Sequence, residues 1–329
     1  MLIRCLSDLH LDVNHNFPLK LRNNKDFTIL AGDTSGDYTE TISWVKANVK
    51  KGILIAGNHL VYNRSGKTIH ELKEELHKAF PIDSDVTFLD VDVGVCSKVV
   101  DGVLFLGSTM YTNYEYDSED IYYPRRPELD TMAEYNMRLA TNPRRCMNDW
   151  AWGILEKTDK DGITDYKHIS PSYYLEQFEK TYSEFNRILD DNEKSEKPLP
   201  VVLVTHHPIS SKAISETFSK DSLNASYISD LEDCFIFKHS SIRAIVSGHV
   251  HHQAVFDIER TDGNMVRYVL NPRGYEIRGE SLGKNGFNED TYIDTKNWNV
   301  KIKPKSKSRI AKEDKRLKDL LAQTYMFGF

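Results

Sequence analysis

The sequence predicts an α/β fold built on strands buried on both faces, and two observations carry that expectation. Five short runs, residues 2–6, 27–31, 53–56, 201–204 and 242–246, are aliphatic or β-branched almost throughout, the pattern of strands covered on both sides. Each run also ends in polar residues: Asp8-Leu9-His10, Gly32-Asp33, Gly57-Asn58-His59, Thr205-His206-His207 and Gly248-His249-Val250-His251. Buried strands should not end in bare carboxylates and imidazoles. Placed just beyond them, these groups fall in the crevice at the carboxyl edge of a sheet, where open α/β folds build their sites.

Taken in order, the first two strands lead to a helix expected at 39–49, the third strand, and a helix at 65–79 where Leu72, Leu76 and Phe80 recur every fourth residue. Strands at 87–91, 99–100 and 103–106 extend the sheet, with Gly94 and Asp101-Gly102 as turns. A long interruption follows at about 114–197. It holds a helix expected at 171–190 whose Tyr174, Phe178, Tyr182, Phe185 and Leu189 are spaced at threes and fours, a stripe read as core packing. The fourth and fifth runs resume the βα pattern, and 266–270 is a further strand.

The polar clusters hold chemistry that the strands do not need. Asp8 and Asp33, Asn58, and His10, His206, His249 and His251 form a mixed hard and borderline donor set. Such a set suits manganese, iron or zinc and is poor for calcium, which prefers all-oxygen shells. One carboxylate is normally needed to bridge two ions, and Asp33 lies between the Asp8/His10 and Asn58 clusters in the chain. Two ions about 3.5–4 Å apart can hold an attacking hydroxide and a phosphoryl oxygen, lowering the pKa of bound water and neutralising developing charge. That is the chemistry of phosphoester hydrolysis.

Asp-x-His at 8–10, Gly-Asp at 32–33, Gly-Asn-His at 57–59, the strand-terminal His206 and Gly-His-x-His at 248–251, in that order, resemble the five signature blocks of the calcineurin-like metallophosphoesterase family. The segments GSTMYTN at 107–113, YISDL at 227–231 and NPRGY at 271–275 resemble one branch of it, so that the likeness spans about residues 1–280. Residues 147–149 resemble a further family segment near the cleft. The resemblance implies a four-layer αββα sandwich of two mixed sheets, with a metallophosphoesterase domain at 1–295 and a cap-like insertion at about 114–197. It also implies that Asp8, His10 and His251 bind one metal, that Asn58, His206 and His249 bind the other, and that Asp33 bridges them. Two divalent ions are expected, manganese first, with iron or zinc as alternatives. His59 would contact the phosphate and assist departure of the alcohol, a role suited to an imidazole near neutral pH. Where the family usually has Asp or Glu after Gly-Asn-His, this chain has Leu60, so an acidic partner for His59 is missing at that position.

Each residue has a plainer reading when taken alone. Asp33 or Asn58 would serve as a helix cap or turn residue, and His206 or His249 as a satisfied polar residue; the joint pattern overrides these. His207 and His252 keep the plainer reading, since neighbours of ligands on an extended segment point the other way. Gly32, Gly57 and Gly248 are read as permitting tight backbone turns. Arg125, Arg126, Arg144 and Arg145 in the insertion are candidate substrate contacts, because paired arginines grip phosphates bidentately. Their plainer reading is surface ion pairing.

The 329 residues, 28% charged and 40% hydrophobic, are those of a globular enzyme. No apolar run approaches the roughly 20 residues of a membrane span. The first run is too short and too quickly interrupted by Arg4 for a signal peptide. The scattered Cys5, Cys96, Cys146 and Cys234 form no Cys-x-x-Cys. A cytoplasmic location follows as the expectation, the host's cytoplasm if the gene is viral.

The tail differs from the body. Residues 296–329 hold ten Lys or Arg against three Asp or Glu, a charge of +7 that leaves −13 on the rest of a chain whose net charge is −6. A basic linker at 301–307 leads to a helix expected at 310–325 with Leu317, Leu320 and Leu321 on one face, ending in an apolar Tyr325-Met326-Phe327-Gly328-Phe329 that wants a groove. The helix is expected to dock on the acidic body or on a second subunit; nucleic-acid contact is the alternative. The expected reaction is hydrolysis of a phosphomonoester or a phosphodiester, which the motifs do not separate, and the expected partner is a phosphorylated small molecule or nucleotide. A nucleic-acid-processing nuclease aided by the tail is the second reading, and a non-catalytic binding module the third, disfavoured by the full ligand set.

Overall fold

In a computed structural model of the protein, the residues described are all but 16–18, 22–25, 145–146, 161–162, 281–284, 306 and 328–329, together with the side chains of 308, 309 and 320–327. The strands, in chain order, are β1 (Leu2–Leu6), β2 (Phe27–Ala31), β3 (Lys51–Ile55), β4 (Val86–Phe88), β5 (Ser97–Val100), β6 (Val103–Ser108) and β7 (Ile154–Lys160). They continue with β8 (Ile163–His168), β9 (Val201–Thr205), β10 (Ile242–Ser247), β11 (Ala254–Glu259), β12 (Met265–Leu270), β13 (Thr291–Asp294) and β14 (Asn299–Ile302). The helices are α1 (Tyr38–Asn48), α2 (Ile69–Ala79), α3 (Met132–Ala140), α4 (Asp149–Trp152), α5 (Pro171–Lys194) and α6 (Lys307–Phe327).

Two six-stranded sheets face one another, ordered β14-β13-β1-β2-β3-β4 and β11-β12-β10-β9-β6-β5. Pairing is parallel from β1 to β4 and among β6, β9, β10 and β12, while the remaining edge pairs are antiparallel. Both sheets are therefore mixed, as expected. The alternation of side chains along a strand explains why the five runs look continuously apolar. Ile3, Cys5, Ile29, Ile53 and Ile55 meet Val202, Val204, Ala244 and Val246 between the sheets. Leu6, Leu30 and Leu54 face outward under α1 and α2, and Leu203 and Ile245 face outward under α5. Helices outside two packed sheets make the αββα layering.

The boundaries differ from expectation where capping or pairing decides them. α2 starts at Ile69 rather than 65, because Thr68 and Glu71 form a reciprocal capping box. β4 ends at Phe88, since Asp90 caps a short 3-10 turn at Val91–Val93 that closes on Gly94. β3 begins two residues early, Lys51 pairing beside Phe27. Inside the insertion α5 runs four residues further than expected, and α3, α4 and the β7–β8 hairpin are additional. The hairpin strands are exposed, so no buried face imposed a period on their sequence.

At the C-terminus, Asn299–Ile302 pairs with β13, so the boundary expected after residue 295 falls within a hairpin and the sheet runs on to Ile302. The basic segment expected to be a linker thus begins as an edge strand. α6 meets the body through an Arg316 Nε–Glu276 Oε1 ion pair of 3.7 Å, and Lys305 pairs with Glu313 at 2.9 Å. Leu320, Leu321 and the apolar ending Tyr325–Phe329 lie outside the described side chains. Among the described residues no helix is long and apolar enough to cross a membrane.

Candidate metal centre

The carboxyl ends of β1, β2, β3, β9 and β10 lie together at one edge of the sandwich, and the loops leaving them brace one another. Asp8 N–H donates to Gly32 O at 3.0 Å, His10 N–H to Asp33 O at 3.0 Å, Asp33 N–H to Ala56 O at 3.1 Å, and Gly248 N–H to His206 O at 3.0 Å. Within this lattice Asp8 (φ 51°), His10 (44°), Asp33 (51°), His249 (70°) and His251 (46°) all take left-handed backbone. That conformation costs about 1–3 kcal/mol per non-glycine residue and persists where the surroundings impose it. It turns each side chain inward. Gly57, itself at φ 80°, could not be replaced without a collision between the new Cβ and Asp33 Oδ1, and a Cβ at Gly248 would meet Asp8 Oδ2.

Three groups of side chains present ligand atoms within 4.8 Å of one another: Asp8, His10 and His251; His10, Asp33 and His59; and Asp33, His206 and His249. In the first, His10 Nε2 is 2.9 Å from His251 Nε2, and His251 Nε2 is 3.5 Å from Asp8 Oδ1. In the third, His206 Nε2 stands 3.1 Å from Asp33 Oδ2 and 2.9 Å from Asn58 Oδ1. Every sequence-derived metal ligand is thus brought to this edge.

The donor set fits divalent cations on its own geometry. Asp8 Oδ2 and His249 Nε2 are buried with no hydrogen-bond partner, a costly arrangement unless something else meets them. The outer nitrogens of two rings are already engaged: His206 Nδ1 donates to Ala31 O at 2.9 Å, and His251 Nδ1 to Glu280 Oε2 at 2.9 Å. This turns Nε2 of each ring inward, the nitrogen through which a histidine anchored in this way would bind a cation once its proton is displaced.

Charge is distributed accordingly. Burial opposes ionisation of Asp33, but His206, His59 and His10 around it hold its carboxyl well below the usual range. Burial likewise works against protonation of His206, yet the Asp33 and Asp8 carboxylates raise it to about 9. His251 is also lifted to about 9, against burial, by Asp8 and Glu280. Burial and then the neighbouring imidazoles push His10 and His249 down. Two protonated rings beside two carboxylates occupy the electrostatic place of cations.

His59 is partly exposed, with 16% of its side chain accessible, as His251 is at 14%. Its Nε2 is 3.9 Å from Asp33 Oδ2 and 3.0 Å from the Tyr275 hydroxyl, and its backbone N–H donates to Asp33 Oδ1 at 2.9 Å. Leu60 is buried in the core, so no acidic group reaches the ring from that position. Tyr62 packs edge-on against it, centroids 4.5 Å apart.

Sequence reasoning missed several residues. Tyr275 and Asp149 sit in segments singled out for their resemblance but given no role, whereas Glu280 and Tyr62 carried no signal. Tyr174, expected as core, does pack there, but its hydroxyl reaches Asp149 Oδ1 at 2.8 Å. His207 does not point away: it is buried with its ring 4.1 Å from that of His249, and it belongs to none of the three groups. Exposed His252 keeps the plainer reading. Among the insertion arginines, Arg125 is half-buried and Arg126 exposed, and Arg144 lines a cavity of about 290 Å³ with Asp120, Tyr122, Tyr123 and Ser222. Arg145 lies outside the described residues.

This fold and site define a hydrolase of phosphoric esters. A sequence model of the calcineurin-like phosphoesterases matches residues 1–253, and the chain belongs to that family. Among solved structures it resembles the phosphopantetheinyl hydrolase of Mycobacterium tuberculosis, with a TM-score of 0.56 and 17% identity over 83% of this chain and 89% of that one. A dimetal phosphatase from Danio rerio aligns with a TM-score of 0.38 and 12% identity, over 74% of this chain and 71% of that one. No curated protein matches the sequence.

Proposed function

We propose that the chain hydrolyses the phosphate ester of a small molecule or nucleotide at a dinuclear centre, with Asp8, His10 and His251 holding one cation, Asn58, His206 and His249 the other, and Asp33 shared. The observation that carries this reading is the membership of Asp33 in two of the three ligand groups, one with His10 and His59 and one with His206 and His249. Manganese suits the mixed oxygen and nitrogen donors, as do iron and zinc. When bound, two such ions lower the pKa of water and neutralise charge on a phosphoryl group.

The chain's own residues do the rest. His59, partly exposed beside Asp33, holds a proton at Nε2 for the departing alcohol oxygen. Tyr275 orients that ring through its hydroxyl. Arg144, on the cavity of the insertion, is our candidate for gripping the remainder of the substrate, with Arg125, Arg126 and Arg145 on the same insertion. Free, buried Cys5 and Cys96 favour a reducing compartment such as the cytoplasm.

A small-molecule substrate is preferred over a polynucleotide for a specific reason. Lys301 and Arg316 of the basic tail pair with Asp294 and Glu276 of the body, and Lys305 with Glu313 within the tail, so three of its cations are engaged by the protein's own carboxylates and two of its seven excess charges are neutralised by the body.

The test is metal analysis together with a manganese-supplemented assay on nitrophenyl phosphate mono- and diesters, nucleotides, cyclic dinucleotides, oligonucleotides and a phosphopantetheinyl ester. Two ions per chain and hydrolysis of at least one small ester are expected. A chain that binds no metal, or hydrolyses none of these, refutes the reading.

A further inference from the structure

Asp149 is the first residue of α4, inside the insertion, and is 1% exposed. No Lys or Arg forms an ion pair with it among the described residues; three neutral donors surround it instead. Its Oδ1 accepts from Asn58 Nδ2 at 2.8 Å and from the Tyr174 hydroxyl at 2.8 Å, and its Oδ2 accepts from the Tyr62 hydroxyl at 3.3 Å. Burying a carboxylate is expensive unless its lone pairs are used, and here both oxygens are.

The consequence for Asn58 is directional. The atom of Asn58 that meets Asp149 is the amide nitrogen, which donates to Oδ1. The amide oxygen is then forced to the opposite side, where it lies 2.9 Å from His206 Nε2. Asp149 holds the nitrogen end of the amide away from the cluster, and this matters because an inward NH₂ cannot bind a cation. The same carboxylate reaches the other side of the centre through Tyr62, whose ring packs edge-on against His59. Tyr174 is in turn fixed by stacking on Tyr111, centroids 3.9 Å apart.

We infer that Asp149 is a positioning residue that makes Asn58 a metal ligand and steadies His59 through Tyr62, so that the insertion completes the metal centre. The inference rests on the proposed reading of Asn58 as a ligand.

Manganese binding to the full chain, followed by calorimetry with metal analysis, tests it. Asp149→Ala should weaken one of two sites about 10–100-fold and leave the other within about twofold. Asn58→Ala should weaken the same site, and the double variant should lose little beyond either single one. A merely structural Asp149 would lower the melting temperature without separating the two sites. If Asn58→Ala changes neither site, the ligand assignment of Asn58 fails, and the inference with it. If Asn58→Ala weakens one site while Asp149→Ala, folded by circular dichroism, leaves both unchanged, the inference is overturned and the ligand assignment stands. Should the alanine variant not fold, Asp149→Asn takes its place; it keeps the shape but no longer dictates the amide's orientation. It should weaken the same site several-fold, and unchanged affinity overturns the inference.

Discussion

His251 and Glu280 are joined by a 2.9 Å hydrogen bond from Nδ1 to Oε2, which aims the opposite nitrogen of the ring at Asp8 Oδ1, 3.5 Å away. Glu280 Oε2 also accepts the backbone N–H of Tyr275 at 2.8 Å, so one carboxylate orients a metal-facing ring and the segment that carries the partner of His59. Glu280→Ala should reduce manganese affinity about 10–100-fold and also slow turnover at saturating metal, whereas Glu280→Gln, able to accept one bond, should lose less. Calorimetric titration alongside steady-state kinetics separates the two effects.

His59 lies outside the proposed ligand set, and this predicts a clean division. His59→Ala should retain both metals by elemental analysis while turnover of a nitrophenyl ester falls by roughly 10²–10⁴-fold. Tyr275→Phe removes the hydroxyl 3.0 Å from His59 Nε2 and should cost less than this, with metal content again unchanged. A His59→Ala protein as active as the parent on every ester would remove its assigned role.

Metal uptake should be linked to protons. His206 and His251 are each lifted to about 9 in the metal-free chain, against the pull of burial, by Asp33 and by Asp8 with Glu280. Below that pH both rings hold a proton that a cation must displace, since only the neutral imidazole binds. Affinity should therefore rise as pH increases from about 6.5 towards 9 and level off above it. Calorimetry in buffers of differing ionisation enthalpy counts the released protons, and a pH-independent affinity would contradict the linkage.

Gly57→Ala should harm both stability and the centre. The added methyl meets the Asp33 carboxylate and the backbone is at φ 80°, so either the loop or Asp33 must move. A loss of roughly 1–3 kcal/mol with reduced metal stoichiometry is expected by chemical denaturation and elemental analysis. Gly263→Ala, also at positive φ but with open space around it, is the control that isolates backbone strain.

The tail gives a prediction about truncation. Because β14 is part of a sheet, a stop after residue 295 would strip an edge strand, while a stop after Pro304 removes α6 alone. The shorter truncation should keep small-ester hydrolysis within about twofold and leave oligonucleotide binding unchanged across salt concentrations. A salt-sensitive loss of oligonucleotide affinity would restore the polynucleotide reading.

The strands and their polar endings were legible in the sequence because burial on both faces leaves a continuous apolar run, and because Asp, Asn and His at such ends have little structural reason to be there. Asp8, His10, Asp33, Asn58, His206, His249 and His251 could be read in this way. The residues behind them could not. Asp149, Tyr174 and Glu280 act through contacts with residues 91, 25 and 29 positions away, and nothing local distinguishes them from a helix start, a core aromatic and a surface acid. The β7–β8 hairpin escaped for the opposite reason: both of its faces are wet, so its sequence carries no period.

Asp8, Asp33 and Asn58 leave the first sheet, while His206, His249 and His251 leave the second. Cations bound among them would clasp the halves of the sandwich together, and at a hundredfold excess over the dissociation constant such a clasp adds about 2.7 kcal/mol to stability. It also sets an order of events during synthesis. The amino-terminal donors emerge from the ribosome some two hundred residues before the last histidine, so on the proposed ligand set both ions can be held only once the second half has been made.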